Sequence, residues 1–103
     1  MIKLIIQYPA ASGTFFDFDH YLGVHMPMAE RLLSGYGFLG CTVNRCTTTV
    51  RGDDPEFLCI TELRFNSLEE LREGLGKHGA ELGADFANYT DSQPVATVCE
   101  QVG

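Results

Sequence analysis

Ile2, Leu4 and Ile6 alternate with Lys3 and Gln7 as far as Tyr8, a period of two that predicts a β-strand closed by Pro9 and the small residues Ala10 to Gly13. From Phe18 the apolar positions change to helical spacing: Phe18, Tyr21, Leu22, His25 or Met26, Ala29, Leu32 and Leu33, with Asp17 placed as cap and Gly35 as stop. Residues 38–50 are rich in β-branched side chains, RGDDPE makes a charged turn, and FLCITELRF alternates again, so a hairpin is expected. Ser67 and Glu70 form a capping box ahead of a stripe made by Leu68, Leu71, Leu75, His78 and Leu82. Gly74, Gly76 and Gly79 each cost a helix about 1 kcal/mol relative to Ala. A break is therefore expected near residues 77–79, with a short helix following toward Phe86. Pro94 opens the last strand, VATVCEQV. The order β-α-β-β-α-β predicts one α+β domain over residues 1–103, ferredoxin-like, a four-stranded antiparallel sheet with its helices on one face.

The other face of such a sheet is ordinarily polar. Here Phe57, Cys59, Leu63 and Phe65 share one face of the third strand while Leu58 and Ile60 share the other, and Ile5 stands with Lys3 and Gln7 opposite Ile2, Leu4 and Ile6. Apolar residues on both faces ask for a second cover. The simplest one is the same sheet of a second copy, so a homodimer packed sheet to sheet is expected.

Composition narrows the function. Hydrophobic residues make up 45% of the 103 and charged residues 20%, which suits a folded domain rather than a disordered chain. Seven basic residues against fourteen acidic ones give a net charge of −7 without a basic run, so no nucleic-acid or anionic-membrane partner is expected. The opening MIKLIIQYP is too short in its apolar run for a secretory signal or a bilayer span, and a cytoplasmic protein is expected. Cys41, Cys46, Cys59 and Cys99 are scattered, with no CxxC pair, and read as small thiols in strands.

His25 is the most informative residue. It falls on the apolar stripe of the first helix, two positions before Pro27, which removes a backbone hydrogen bond and crowds the carbonyl of Gly23. Distortions of this kind gather near working sites. His25 reads either as a pocket base with a pKa near neutrality or as a core histidine bonded to a neighbour. Tyr21, one turn earlier, either orients the imidazole or packs its ring. His20, beside Asp19, points away from the stripe and reads as solvated surface. His78 lies at the glycine-weakened end of the second helix. After it, Asp85, Asn88, Tyr89, Thr90 and Asp91 read as the mouth of a pocket or as ordinary turn formers. GxGxxG, Walker, HExxH and GxSxG motifs are absent, and His25, His78 and Asp85 lack short metal-ligand spacing, so neither a cofactor nor a metal is expected.

DHYLGVHMPM, followed downstream by HGAELGADFANYTDSQPVATV, resembles the EthD-like family of dimeric α/β-barrel proteins. The match runs nearly the whole length: His25 and Pro27 as an HxP, Tyr21 before it, HGAE from His78, and NYTD from Asn88 to Asp91. The family is named after a gene cluster for ethyl tert-butyl ether degradation, and its own activity is poorly defined. The resemblance implies a homodimeric barrel, with His25 as the pocket base and Tyr21, His78, Asp85 and Tyr89 as its neighbours. Wider relatives include isomerases, polyketide cyclases and cofactor-free monooxygenases that act on small cyclic or aromatic compounds. The chain has no Trp, which some of those monooxygenases use, and Gly83 and Ala87 stand where the resemblance implies an apolar residue and a proline in many members.

Two functions follow. One is a cofactor-independent oxidoreductase, isomerase or cyclase in which His25 removes a proton beside a carbonyl and Tyr21 or His78 steadies the enolate, in an apolar pocket lined by Phe18, Leu22 and Phe86. The other is an accessory protein that holds a small hydrophobic organic ligand for a partner oxidase.

Overall fold

The computed structural model describes all 103 residues. Its elements are β1 (Ile2–Pro9), α1 (Phe18–His20), a π-helical turn (Tyr21–His25), α2 (Met26–Leu33), β2 (Phe38–Arg45), β3 (Phe57–Phe65), α3 (Leu68–Ala84), α4 (Phe86–Tyr89) and β4 (Val95–Glu100). The strands form one antiparallel sheet in the order β2-β3-β1-β4. This is the ferredoxin-like α+β arrangement, with the helices on one face.

Register sorts the faces. Leu4 stands opposite Leu63 and Val98, and Ile6 opposite Thr61 and Ala96. Leu4, Leu63 and Phe65 of the sheet pack with Ala29 and Leu33 of α2 and Leu71 and Leu82 of α3 into one buried cluster. Removing a side chain of this size from water contributes about 1.5–3 kcal/mol. A second buried cluster, of Tyr8, Tyr21, Met26, Cys59 and Tyr89, fills the end of the domain where the loops meet.

Both predicted caps are present. Asp17 accepts the backbone N–H of His20 at 3.1 Å, and Ser67 Oγ accepts that of Glu70 at 3.1 Å. The chain leaves α2 through Gly37 rather than Gly35: Gly37 has φ +67°, and a Cβ there would collide with the Glu70 carboxylate. β2 ends at Arg45, short of residue 50, because Thr48 and Thr49 bond their side chains to the backbone of the turn, at 3.1 Å to Asp53 O and 3.0 Å to Asp53 N.

α3 is unbroken through Lys77 to Gly79, contrary to the expected interruption. Its glycines mark close approach and open space rather than weakness. A Cβ on Gly74 would come within 3.0 Å of Tyr36 and 3.1 Å of Leu33, while Gly79 and Gly83 line a cavity. Packing of the apolar stripe holds the helix together against low propensity. The short helix toward Phe86 is present as α4.

The outer sheet face is divided. Lys3 pairs with Glu62 at 3.0 Å and Arg64 donates to Thr42 at 2.9 Å, while Ile5, Ile60 and the half-exposed Val95 form an apolar portion. Leu58 departs from its expected place: beside the register shift at Tyr8 and Pro9 it packs partly against the aromatic cluster. All four cysteines are free, and burial pushes the Cys59 thiol up to about 11.

Candidate functional site

The site is assembled where the loop before α1 meets the segment after α4. Asp91 accepts from Thr14 N at 2.7 Å and Thr14 Oγ1 at 2.6 Å, Thr90 Oγ1 donates to Phe15 O at 2.7 Å, and Asp17 N donates to Tyr89 O at 2.7 Å. These contacts bind the start of the first helical segment to the end of α4. Asp91, read as a pocket residue or a turn former, serves here as a loop tie.

The helix then changes pitch. Between Tyr21 and His25 it widens into a π turn, with Met26 N–H bonded to Tyr21 O five residues back. Pro27 supplies the reason: it has no N–H and crowds the preceding turn, and one widened turn absorbs both effects without breaking the helix. In an α-helix His20 and His25 would lie roughly 140° apart around the axis. The widened turn brings them to the same carboxylate.

That carboxylate is Asp85, at the junction of α3 and α4. His25 Nδ1 lies 2.9 Å from Asp85 Oδ2, and His20 Nε2 lies 3.0 Å and 3.1 Å from Oδ1 and Oδ2. Asn88 Nδ2 donates to Oδ1 at 2.9 Å. Burial alone would raise the Asp85 carboxyl, but the hydrogen bonds from Asn88, His20 and His25 outweigh it and hold the group below the usual carboxylate range. Burial pushes His25 below the ordinary histidine value; the hydrogen bond and charge of Asp85 partly restore it, and the charge of His20 opposes them. At neutral pH His25 is thus uncharged beside an anion. Its Nδ1 then carries the proton and donates to Asp85, which leaves the lone pair on Nε2.

Nε2 has no protein partner and is not sealed from space, and His25 lines a cavity of about 290 Å³ between the helices and the sheet. Leu4, Ile6, Leu63 and Ala96 form its floor, Met26, Ala29 and Leu33 one wall, and Leu75, Gly79, Leu82, Gly83 and Phe86 the other. No Asp, Glu, Lys or Arg side chain lines it. An apolar chamber with one convergent basic nitrogen is the ordinary form of a small-molecule site.

Aromatic hydroxyls back the histidine. The Tyr21 ring stacks on the His25 ring at 5.3 Å with 12° between planes, and its hydroxyl meets Thr61 Oγ1 at 2.6 Å. Tyr89 packs against His25 at 4.8 Å between ring centres, and its hydroxyl meets that of Tyr8 at 2.8 Å. Burial pushes all three phenols far above their ordinary value, so they remain protonated.

Of the residues singled out in the sequence, the structure brings together His25, Tyr21, Asp85, Phe86 and Tyr89. Three lie elsewhere. His78 faces Tyr36 and Glu81, 3.3 Å from the Glu81 carboxylate, because the unbroken α3 turns Gly79 and Leu82 toward the cavity instead. Leu22 is rotated out to 53% exposure by the π turn. Phe18 lies under the Arg45 guanidinium, 4.4 Å from its ring, in a separate and more open depression of about 530 Å³ that contains no histidine. His20, read as solvated surface, is a member of the site. An α-helical wheel misplaces it, and the sequence signal was Pro27, which marked distortion without its form. No group of three or more His, Cys, Asp or Glu is placed to hold a metal ion. No helix is long and apolar enough to cross a membrane.

No protein-family model and no curated protein sequence matches the chain. Solved structures do. The crystal structure of an EthD-like protein from Ralstonia eutropha JMP134 is 34% identical, superposes with a TM-score of 0.88, and covers 96% of this chain and 89% of its own. An ethyl tert-butyl ether degradation (EthD) family protein from Bacillus halodurans C-125 gives a TM-score of 0.72 at 20% identity over 99% of both chains. SnoaB, a cofactor-independent oxygenase from Streptomyces nogalater, gives 0.61 at 10% identity over 98% of this chain and 94% of that one. The last two are likenesses of fold. At 34% identity over nearly its whole length, the chain belongs to the EthD-like family.

Proposed function

We propose that the protein is a cofactor-independent enzyme of the isomerase, cyclase or oxidoreductase kind, in which His25 is the general base for a small hydrophobic or cyclic carbonyl compound. One observation carries this reading: Asp85 holds His25 Nδ1 at 2.9 Å while Nε2 has no protein partner, in a residue that lines the apolar cavity. Nε2 takes a proton from the carbon beside the carbonyl, the C–H electron pair moves into an enolate, and Asp85 offsets the imidazolium that forms. The Tyr21 hydroxyl, accepting from Thr61, donates to the enolate oxygen. Without a cationic side chain in its lining, the cavity favours uncharged substrates over carboxylates and phosphates.

The protein acts as a homodimer in this reading, with the apolar portion around Ile5, Ile60 and Val95 covered by a second sheet. The free cysteines suit a reducing, cytoplasmic compartment.

Native mass spectrometry of the purified protein, followed by extraction of bound compounds, is expected to give a dimer and a small organic adduct. Proton NMR of 1-tetralone in D2O then tests the base: exchange at the carbon next to the carbonyl is expected to be accelerated by the protein and lost in His25→Gln. Exchange undiminished in His25→Gln would overturn the assignment. Binding of the ketone without exchange would make the protein a carrier of a hydrophobic metabolite for a partner oxidase.

A further inference from the structure

His20 does not line the cavity, yet it makes two contacts to the carboxylate that supports the base. Asp85 Oδ2 lies 2.9 Å from His25 Nδ1 and 3.1 Å from His20 Nε2, with Oδ1 3.0 Å from the same His20 nitrogen. One carboxylate therefore faces two imidazoles. A single negative charge offsets only one positive charge, so positive charge on the His20 ring disfavours a proton on His25. Exposure rises outward along the series, with side chains 6% accessible at His25, 12% at Asp85 and 24% at His20. We propose that His20 is a positioning residue of this site, which acts through Asp85 to set the pH range over which His25 Nε2 accepts a proton. The function served rests on the reading of His25 as the base; the coupling itself does not.

The surroundings leave few other groups to produce this effect. On its own helix, Asp17 accepts the His20 backbone N–H at 3.1 Å. From α4, Tyr89 stacks on His20 at 6.3 Å and packs on His25, and Asn88 contributes an uncharged amide to Asp85. Tyr21 lies against His25 from one turn earlier, and Tyr8 stands behind Tyr89 from β1. The three phenols stay protonated, so besides His25 the one group of this set at Asp85 able to carry a positive charge is the His20 ring.

The test is a nitrogen-15 NMR titration of the histidines in the full chain, which needs no substrate. His20→Gln keeps a donor to Asp85 but removes the positive charge that the ring can carry, so the His25 midpoint is expected to move up. His20→Lys places a permanent charge at the same position, and the midpoint is expected to move down. Opposite shifts are not produced by loosened packing. An unchanged His25 midpoint in both variants, or a shift of the same sign in both, would overturn the proposal; His20→Asn replaces the Gln variant if that one does not fold. Opposite shifts of the His25 midpoint without proton exchange on 1-tetralone would instead count against His25 as a base and leave the coupling intact.

Discussion

His25 Nδ1 and Asp85 Oδ2, sixty positions apart in sequence, lie 2.9 Å from each other, and of the two residues only His25 lines the cavity. The contact selects the tautomer in which Nε2 is the acceptor. Asp85→Asn removes the charge that favours protonated His25 and leaves a side chain able to present either oxygen or nitrogen to the ring. The midpoint of His25 is expected to fall, and turnover, once a substrate is in hand, to drop by about 100-fold or more. NMR titration and steady-state rates of the same variant check the two outcomes.

Stability should decline on acidification, with a sign fixed by the same pair. The folded value of His25 lies below the ordinary 6.5, so below that pH the unfolded chain binds the proton more readily than the folded one. Stability is then lost as pH falls from about 6.5 through the folded value of His25. Asp85, also lowered, adds a second loss below the ordinary carboxylate range, as pH falls through its own folded value. Urea midpoints measured from pH 8 down to pH 3 are expected to show both declines, and His25→Gln to remove the first.

The fold was legible from periodicity because its strands and capped helices rest on local signals: Ile2, Leu4 and Ile6 in alternation, Asp17 and Ser67 at helix starts. The site was legible in part. His25 was visible as chemistry, since a histidine on an apolar stripe beside a proline is unusual, whereas Asp85 read equally as a turn former and became a neighbour of His25 only through the family resemblance. His20 was not, because a wheel of 3.6 residues per turn excludes it and only tertiary packing selects a π turn over a kink. His78 was misassigned for a related reason. Three glycines suggested a broken helix, whereas Gly74 permits the approach of Tyr36 and Gly79 borders the cavity.

Tyr8 and Tyr89 provide a test of the wall behind His25. Their hydroxyls meet at 2.8 Å and both residues are fully buried. Tyr8→Phe leaves the Tyr89 hydroxyl without that partner and is expected to cost about 1–3 kcal/mol. Tyr89→Phe should cost a similar amount, and the double variant less than the two together, because no orphaned hydroxyl remains. Equilibrium denaturation of the three variants closes the cycle, and strict additivity would count against a direct contact.

The glycines of α3 predict opposite outcomes for one chemical change. A Cβ on Gly76 meets nothing within 4 Å, so Gly76→Ala should stabilise the protein by about 0.5–1 kcal/mol through helix propensity alone. At Gly74 the same methyl would approach Tyr36 Cβ at 3.0 Å and Leu33 Cδ2 at 3.1 Å, both in packed surroundings, so Gly74→Ala should be destabilising despite an equal gain in propensity. Gly79 separates stability from function. It has open space within 4 Å and also lines the cavity, so Gly79→Ala is expected to stabilise the fold like Gly76→Ala, whereas Gly79→Leu extends a side chain into the chamber that His25 serves. Thermal melts rank the alanine variants, and binding of 1-tetralone should weaken in Gly79→Leu and be unchanged in Gly76→Ala. Equal binding in both would show that the ketone occupies another part of the molecule.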